Sequence, residues 1–311
     1  MTRETERVIR ELQKFMENNT FENDEDAEQA FMQYINRPDA DRFKAEPDAY
    51  DYLEKAQIAA SPASAVKFAK KALELDPTLI EAELLIAIHQ AKDSAQMQSA
   101  LEGLLKKEEA RLAKENITEE QCAGEYYLIF ETRPYLRLYQ MYIETLITQG
   151  KIRKAVEAGS KVLMLNDNDN LGVRYTLMAA YAMLEERTLA EALYQKYPEE
   201  GSSMLLPMLA LYYKLDDTEA ATDCLKRLCA NNKSVKQAVK ILRKGDEVQM
   251  MEILGSPYYS PFSKEELVIA YCDNVLLYMP IGDDFLKWVE THIPTKSTSG
   301  KKQSTKSKKK A

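Results

Sequence analysis

Residues 62–77 read PASAVKFAKKALELDP, and this stretch decides the fold. Ala65, Val66, Phe68, Ala69, Ala72, Leu73 and Leu75 recur at the three- and four-residue intervals that place side chains on one face of a helix. Asp76-Pro77 ends that helix, because the proline ring excludes a continuing turn. From Leu79 to Ala91 the apolar pattern resumes, so two helices meet at a short break. Laid on a 34-residue helix-turn-helix unit covering 46–79, Ala65 and Ala72 fall at the two small positions of the second helix. Small side chains there let the second helix approach the first.

The same reading extends along the chain. Ser94 opens a long charged helix running to about Asn116. Thr118-Glu-Glu-Gln121 and Ser263-Lys-Glu-Glu266 read as capping boxes, in which the hydroxyl takes an amide and the acid or amide side chain reaches back. The second box is expected to open a helix from Leu267 to Met279. Pro134 suits a first helical turn, and the helix from Tyr135 to Thr148 stops at Gly150. Helices are expected over 151–165, 170–186, 188–197, 203–215, 217–230 and 234–244. Gly282 precedes a last amphipathic helix carrying Phe285, Trp288 and Val289, with Trp288 expected to pack on Leu276 or Tyr278. A second copy of the unit fits 136–169, with Gly150 in its turn and Ala155 as its small residue. A weaker copy starts at Tyr212. No run of alternating β-branched residues competes. The expected fold is all-α, a right-handed superhelix of roughly five to seven stacked antiparallel helix pairs. Residues 1–45 read as atypical N-terminal helices, 46–254 as the repeat body and 263–293 as C-terminal capping helices. The Lys-rich segment 294–311 is expected to be a disordered tail.

The composition narrows the function. Of 311 residues, 45% are apolar, enough to bury a core, and the 10 Gly and 11 Pro are too few for a chain of short strands and tight turns. Charged residues interrupt every apolar run before it reaches the length of a bilayer span. The first ten residues alternate in charge and lack the apolar core of a secretory signal, so a cytoplasmic location is expected. The four cysteines form no CxxC, and Cys224 and Cys229 are spaced for neither zinc nor a disulfide framework. They are expected as four buried thiols. A calcium loop starting at Asn166 fails, because Gly172 arrives one residue late. Asn168-Asp-Asn170 reads instead as a turn between helix pairs. Neither GxSxG, GxxxxGK[ST] nor GxGxxG occurs, and His89 sits inside the apolar run 84–90. The expectation is a protein that is not an enzyme, with no cofactor and no metal. Segment 294–311 holds seven Lys and no acid, so a net charge of −8 leaves −15 on residues 1–293. Such a basic segment can touch nucleic acid by releasing counterions.

Residues 46–79 and 136–169 resemble the tetratricopeptide repeat superfamily. Glu131-Thr-Arg-Pro-Tyr-Leu-Arg137 and Asn168-Asp-Asn-Leu-Gly-Val-Arg-Tyr175 are similar to two segments of a poorly characterised group of bacterial tetratricopeptide-like proteins, related in fold to the suppression-of-tumorigenicity family. The resemblance implies a helical repeat fold and no reaction. Arg133 and Arg137, four apart, share a helix face, and Arg174 opens the first helix of the next pair. With Tyr135 and Asn170 they are the candidate partner-binding set, because guanidinium groups hold carboxylates bidentately and some tetratricopeptide proteins clamp a peptide C-terminus this way. The alternative is an internal ion pair, with Arg133 or Arg174 joined to Glu131. The first functional expectation is a scaffold binding an extended or helical peptide. The second is a nucleic-acid- or ribosome-associated adaptor using the Lys-rich tail.

Overall fold

In this computed structural model residues 19–36 and 47–294 are described, together with Ile9, Leu12, Phe15 and Met16. The Lys-rich segment from residue 295 onward and most of the expected N-terminal helices lie outside the described residues. Sixteen α-helices and one 3-10 turn run through the described residues, which form no strand beyond one isolated β-bridge. None of these helices is long and apolar enough to cross a membrane. The chain packs as two compact units, one of residues 1–151 with 161–170, the other of 152–160 with 171–311.

In the first unit α1 (Asp24–Ile35) starts where the side chain of Asn23 accepts the Asp26 N–H, with three acids in its first turn. Then follow α2 (Ala49–Gln57), α3 (Pro62–Leu75), α4 (Ile80–Gln90), α5 (Ser94–Lys114) and α6 (Arg133–Thr148). The deciding stretch folds as its pattern predicts. The Ser61 hydroxyl accepts the Ser64 N–H at 3.2 Å, Pro62 opens the helix and Asp76 leaves it. Ala65, Ala69 and Ala72 are buried. Ala69 and Ala72 pack with Ala49, Leu53 and Ala56 of α2 and with Leu79 and Ala82 beside and within α4. A larger side chain at Ala72 would cost about 1–3 kcal/mol in displaced neighbours.

Between α5 and α6 the chain departs from expectation. The Thr118 hydroxyl accepts the Gln121 N–H at 3.4 Å, but residues 117–129 form turns and no helix follows. The reason is a longer-range bond set. Gly124, at φ +83°, donates its N–H to Met164 O at 2.8 Å, and Tyr126 donates to Leu165 O at 2.9 Å. Those carbonyls end α7 (Ile152–Leu165), and Glu125 bridges Asn166. Backbone groups satisfied there are lost to a local helix.

The second unit holds α8 (Val173–Leu184), α9 (Arg187–Lys196), α10 (Ser202–Lys214), α11 (Thr218–Asn231), α12 (Val235–Lys244), α13 (Glu247–Leu254), α14 (Lys264–Asp273), α15 (Val275–Tyr278) and α16 (Gly282–His292). Residues 202–213 read SSMLLPMLALYY, apolar nearly all round, so α10 is the central helix and is buried from Met204 to Tyr212. Helices α8, α9, α11 and α14 all pack on it. After α11 the stacking order changes: α14 returns to α10 and α12, and α16 packs on α11 and α12.

Three expectations are corrected here. The helix foreseen from Leu267 to Met279 breaks at Asn274, whose amide side chain donates to Ala270 O at 3.0 Å. Trp288 packs on Tyr213, with ring centroids 5.8 Å apart, and on His292 at 4.2 Å, while Leu276 is exposed. Phe285, three residues earlier and rotated by about 60° on the helix, takes the position beside Tyr278 instead. Of the cysteines, Cys224 is buried and its thiol donates to Leu205 O; Cys122, Cys229 and Cys272 are only half-buried.

Candidate functional site

The segment Glu131-Thr-Arg133 works as a fastener within the first unit. Buried Thr132 sets its hydroxyl against the carbonyls of Tyr126 and Ile129. Arg133 is 5% exposed. Its Nε–H donates to Tyr127 O at 3.0 Å, and its guanidinium lies 5.0 Å from the Tyr127 ring centroid and 5.4 Å from that of Phe130. Arg111 of α5 donates to Glu131 O at 3.0 Å while pairing with Glu108 and Glu115. The strap 126–131 is thereby tied to α5 and α6.

Tyr135 is 1% exposed, with Tyr126 and the edge of Tyr139 against its ring. Burial pushes its hydroxyl far above the ordinary range. Arg137 pairs with Glu81 of α4 at 3.0 Å. Asn170 is exposed, in the turn before Gly172. Lys161 pairs with Glu119 at 2.5 Å and lies over the Tyr139 ring.

In the second unit Arg174 donates to Glu199 from both Nε, at 3.2 Å, and a terminal nitrogen, at 3.1 Å. The Tyr175 hydroxyl joins the same carboxylate at 2.8 Å, and the guanidinium stacks 4.3 Å from the Tyr175 centroid. Of the expected set, Arg133, Tyr135, Arg137 and Arg174 thus have protein partners, while Asn170 faces solvent. Glu199 holds Arg174, and the Tyr127 carbonyl takes the Arg133 Nε–H.

The Arg174–Tyr175–Glu199 arrangement recurs. Glu200 accepts Arg227 of α11 at 2.7 Å and the Tyr194 hydroxyl of α9 at 2.5 Å, with Arg227 over the Tyr194 ring. Glu191 accepts Arg187 at 2.8 Å and the Tyr212 hydroxyl at 3.2 Å, with Arg187 over the Tyr212 ring and bound also to Asp217 at 2.7 Å. The first triad ties α8 to the loop before α10, the second ties α9 and α11 to that loop, and the third ties α9 to α10, each through a charge-assisted bond with an aromatic face behind it. Burial first, then the carboxylate bond, pushes Tyr175 and Tyr194 up to about 12. The hydrogen bond from Arg227 holds Glu200 below its ordinary range.

Solvent-facing apolar side chains gather elsewhere. The connection between α13 and α14 reads GSPYYSPFS, and there Tyr258 is 85% exposed. Tyr259, Phe262, Val248 and Met251 are exposed with it. A cleft of about 560 Å3 runs past Gln249, Glu252, Ser256, Tyr258, Tyr259 and Ser260. The loop is held by Glu266 of α14. Its carboxylate accepts the Phe262 N–H and, across the unit, the Ser202 N–H of α10 at 2.8 Å. The sequence carried a signal for this surface: Tyr258 and Tyr259 between two prolines and Phe262 just after the second, off any helical period.

Among the described residues no group of three or more His, Cys, Asp or Glu is placed to hold a metal ion. No protein family matches the chain, and none of the curated proteins matches it.

Proposed function

We propose that this protein is a non-enzymatic, tetratricopeptide-like scaffold that holds a peptide segment of a partner protein, and that the α13–α14 connection is part of the surface it uses. Helix succession supports the repeat reading: α2 packs on both α3 and α4, α4 on α5 and α6, and α8 on α9 and α10. This is the neighbour and next-neighbour pattern of helical hairpins, from which right-handed superhelical stacking would follow. The observation that carries the function is the exposed Tyr258, Tyr259, Phe262 and Met251 beside an open cleft. Tyrosine in a Ser/Pro/Gly loop offers broad contact area at low entropic cost, as at other recognition loops. Arg133, Arg137 and Arg174, expected to grip a carboxylate, each have a partner within the chain.

A photo-crosslinking amino acid at position 259, against a control at exposed Leu189, tests the reading. Crosslinked partner restricted to position 259, and lost in a Tyr258→Ser, Tyr259→Ser variant with unchanged circular dichroism, supports it. Equal crosslinking at both positions refutes it. The seven Lys of residues 294–311 support a second reading, a nucleic-acid adaptor. It requires nucleic-acid binding that collapses between 50 and 200 mM salt, by roughly a thousandfold if six phosphates are neutralised.

A further inference from the structure

The second unit has another opening, a cleft of about 420 Å3 at the ends of α8 and α10 beside α16. Its apolar wall is Tyr213, Ile281 and Trp288. Its rim carries Glu185 and Asp216, both exposed. Each follows a helix C-terminus in the left-handed conformation, at φ +60° and +55°. Glycine, or sometimes asparagine, is the usual occupant of such a position, and a carboxylate there adds to the partial negative charge of the helix end. Lys214 brings one cation, but its ammonium is spent on Ala182 O at 2.8 Å, Met183 O at 3.1 Å and Glu185 at 3.3 Å. An aromatic wall with an acidic rim fits an alkylammonium group, whose methylenes lie on the rings while the head meets carboxylate.

We propose that the lysine-rich segment 295–311 of the same chain docks a lysine side chain in this cleft. Two observations select this occupant. The segment carries seven Lys and no acid against a net −15 on the preceding residues. It also follows directly from α16, the helix that places Trp288 in the wall. Trp288 lies one turn, about 6 Å, before the end of α16. Extended chain covers about 3.4 Å per residue, so Lys296 comes within roughly 14 Å of His292 and Lys301 within roughly 30 Å. A short tether holds its end at about millimolar effective concentration, so a site with only millimolar affinity for the free segment stays about half filled. The docked segment would exclude other basic peptides from the cleft. This inference is independent of the partner surface at α13–α14.

Trp288 is the sole tryptophan of the chain, so its fluorescence reads the cleft directly. The full chain is compared with a form ending at Pro294, which leaves every described helix intact. The expected result is a different emission spectrum at low salt, with the difference abolished at 1 M salt, where screening acts within about 3 Å. A synthetic 295–311 peptide added to the shortened form restores the full-chain spectrum, and the same peptide with Lys replaced by Gln does not. The double variant Glu185→Gln, Asp216→Asn weakens the peptide about fivefold or more. Identical spectra with and without the segment overturn the proposal. So does a peptide that binds the double variant equally well, which would place the attraction elsewhere on the acidic surface. A spectral difference that grows with protein concentration overturns it too, by showing exchange between copies.

Discussion

Replacing Arg133 with Met separates an anchor for a partner from a brace within the fold. The substitution keeps much of the apolar stem and removes the guanidinium. The charged bond from Nε to Tyr127 O at 3.0 Å is lost, at about 1.5–3 kcal/mol. The contacts over the Tyr127 and Phe130 rings add about 0.5–1 kcal/mol each. The expected loss is therefore about 3 kcal/mol, concentrated in the first unit, because the strap 126–131 is released. With a urea slope of about 2 kcal/mol per molar, the unfolding midpoint of that unit falls by about 1.5 M. Equilibrium urea unfolding followed by far-ultraviolet circular dichroism reads this. Arg137→Met, which removes the half-buried pair with Glu81, should cost only about 1 kcal/mol. A midpoint for Arg133→Met within 0.2 M (roughly 0.4 kcal/mol) of the parent protein would refute the brace, and with it the role given to Thr132 and Arg133.

Glu266→Ala leaves the Ser202 and Phe262 amides without their acceptor, and should cost about 2–4 kcal/mol by thermal unfolding; Glu266→Gln, which keeps one acceptor oxygen, should cost less. Gly172→Ala meets both a left-handed φ of +71° and a Cβ contact of 3.1 Å with the Tyr175 ring, so a loss of about 1–2 kcal/mol is expected in the same assay. Tyr126, Tyr175, Tyr194 and Tyr212 are each pushed up to about 12 against an ordinary 10, so between these values the folded chain holds protons that the unfolded chain has released. Stability therefore falls as pH rises through that window, and phenolate absorbance should lag behind a peptide control; Tyr126→Phe should flatten the fall. Cys224, buried and with its thiol pushed up to about 12, should be the last of the four cysteines to react with a thiol reagent. Labelling of Cys224 in the native state at the rate of Cys122 would contradict its burial.

What the sequence could and could not reveal follows from the range of the interactions. The helix α3 was legible because its start, stop and small face all lie within sixteen residues, from Ser61 to Asp76. The same holds for α6, α7 and α11, whose ends fall within a few residues of the pattern. The turns at 117–129 were not legible. Their local capping signal is sound, but it loses to backbone partners at Met164 and Leu165. The arginines showed their spacing and concealed their partners: Glu199 is 25 residues from Arg174, and no local pattern points to it. The position of α14 was hidden for the same reason, since Glu266 answers to Ser202, 64 residues earlier. Periodicity placed a helix at 203–215 but did not say which helices would cover it.

Adjacent Glu199 and Glu200 serve different helices, the first Arg174 and Tyr175 of α8, the second Tyr194 of α9 and Arg227 of α11. Two residues on, the Ser202 amide is committed to Glu266. A reading frame is thus imposed on a surface loop: one inserted residue would hand each carboxylate to the wrong customer, or to none. Epitope tags and natural length variation should therefore be excluded from residues 198–202, although 198–201 reach solvent, and tolerated far better near Ser256–Ser260.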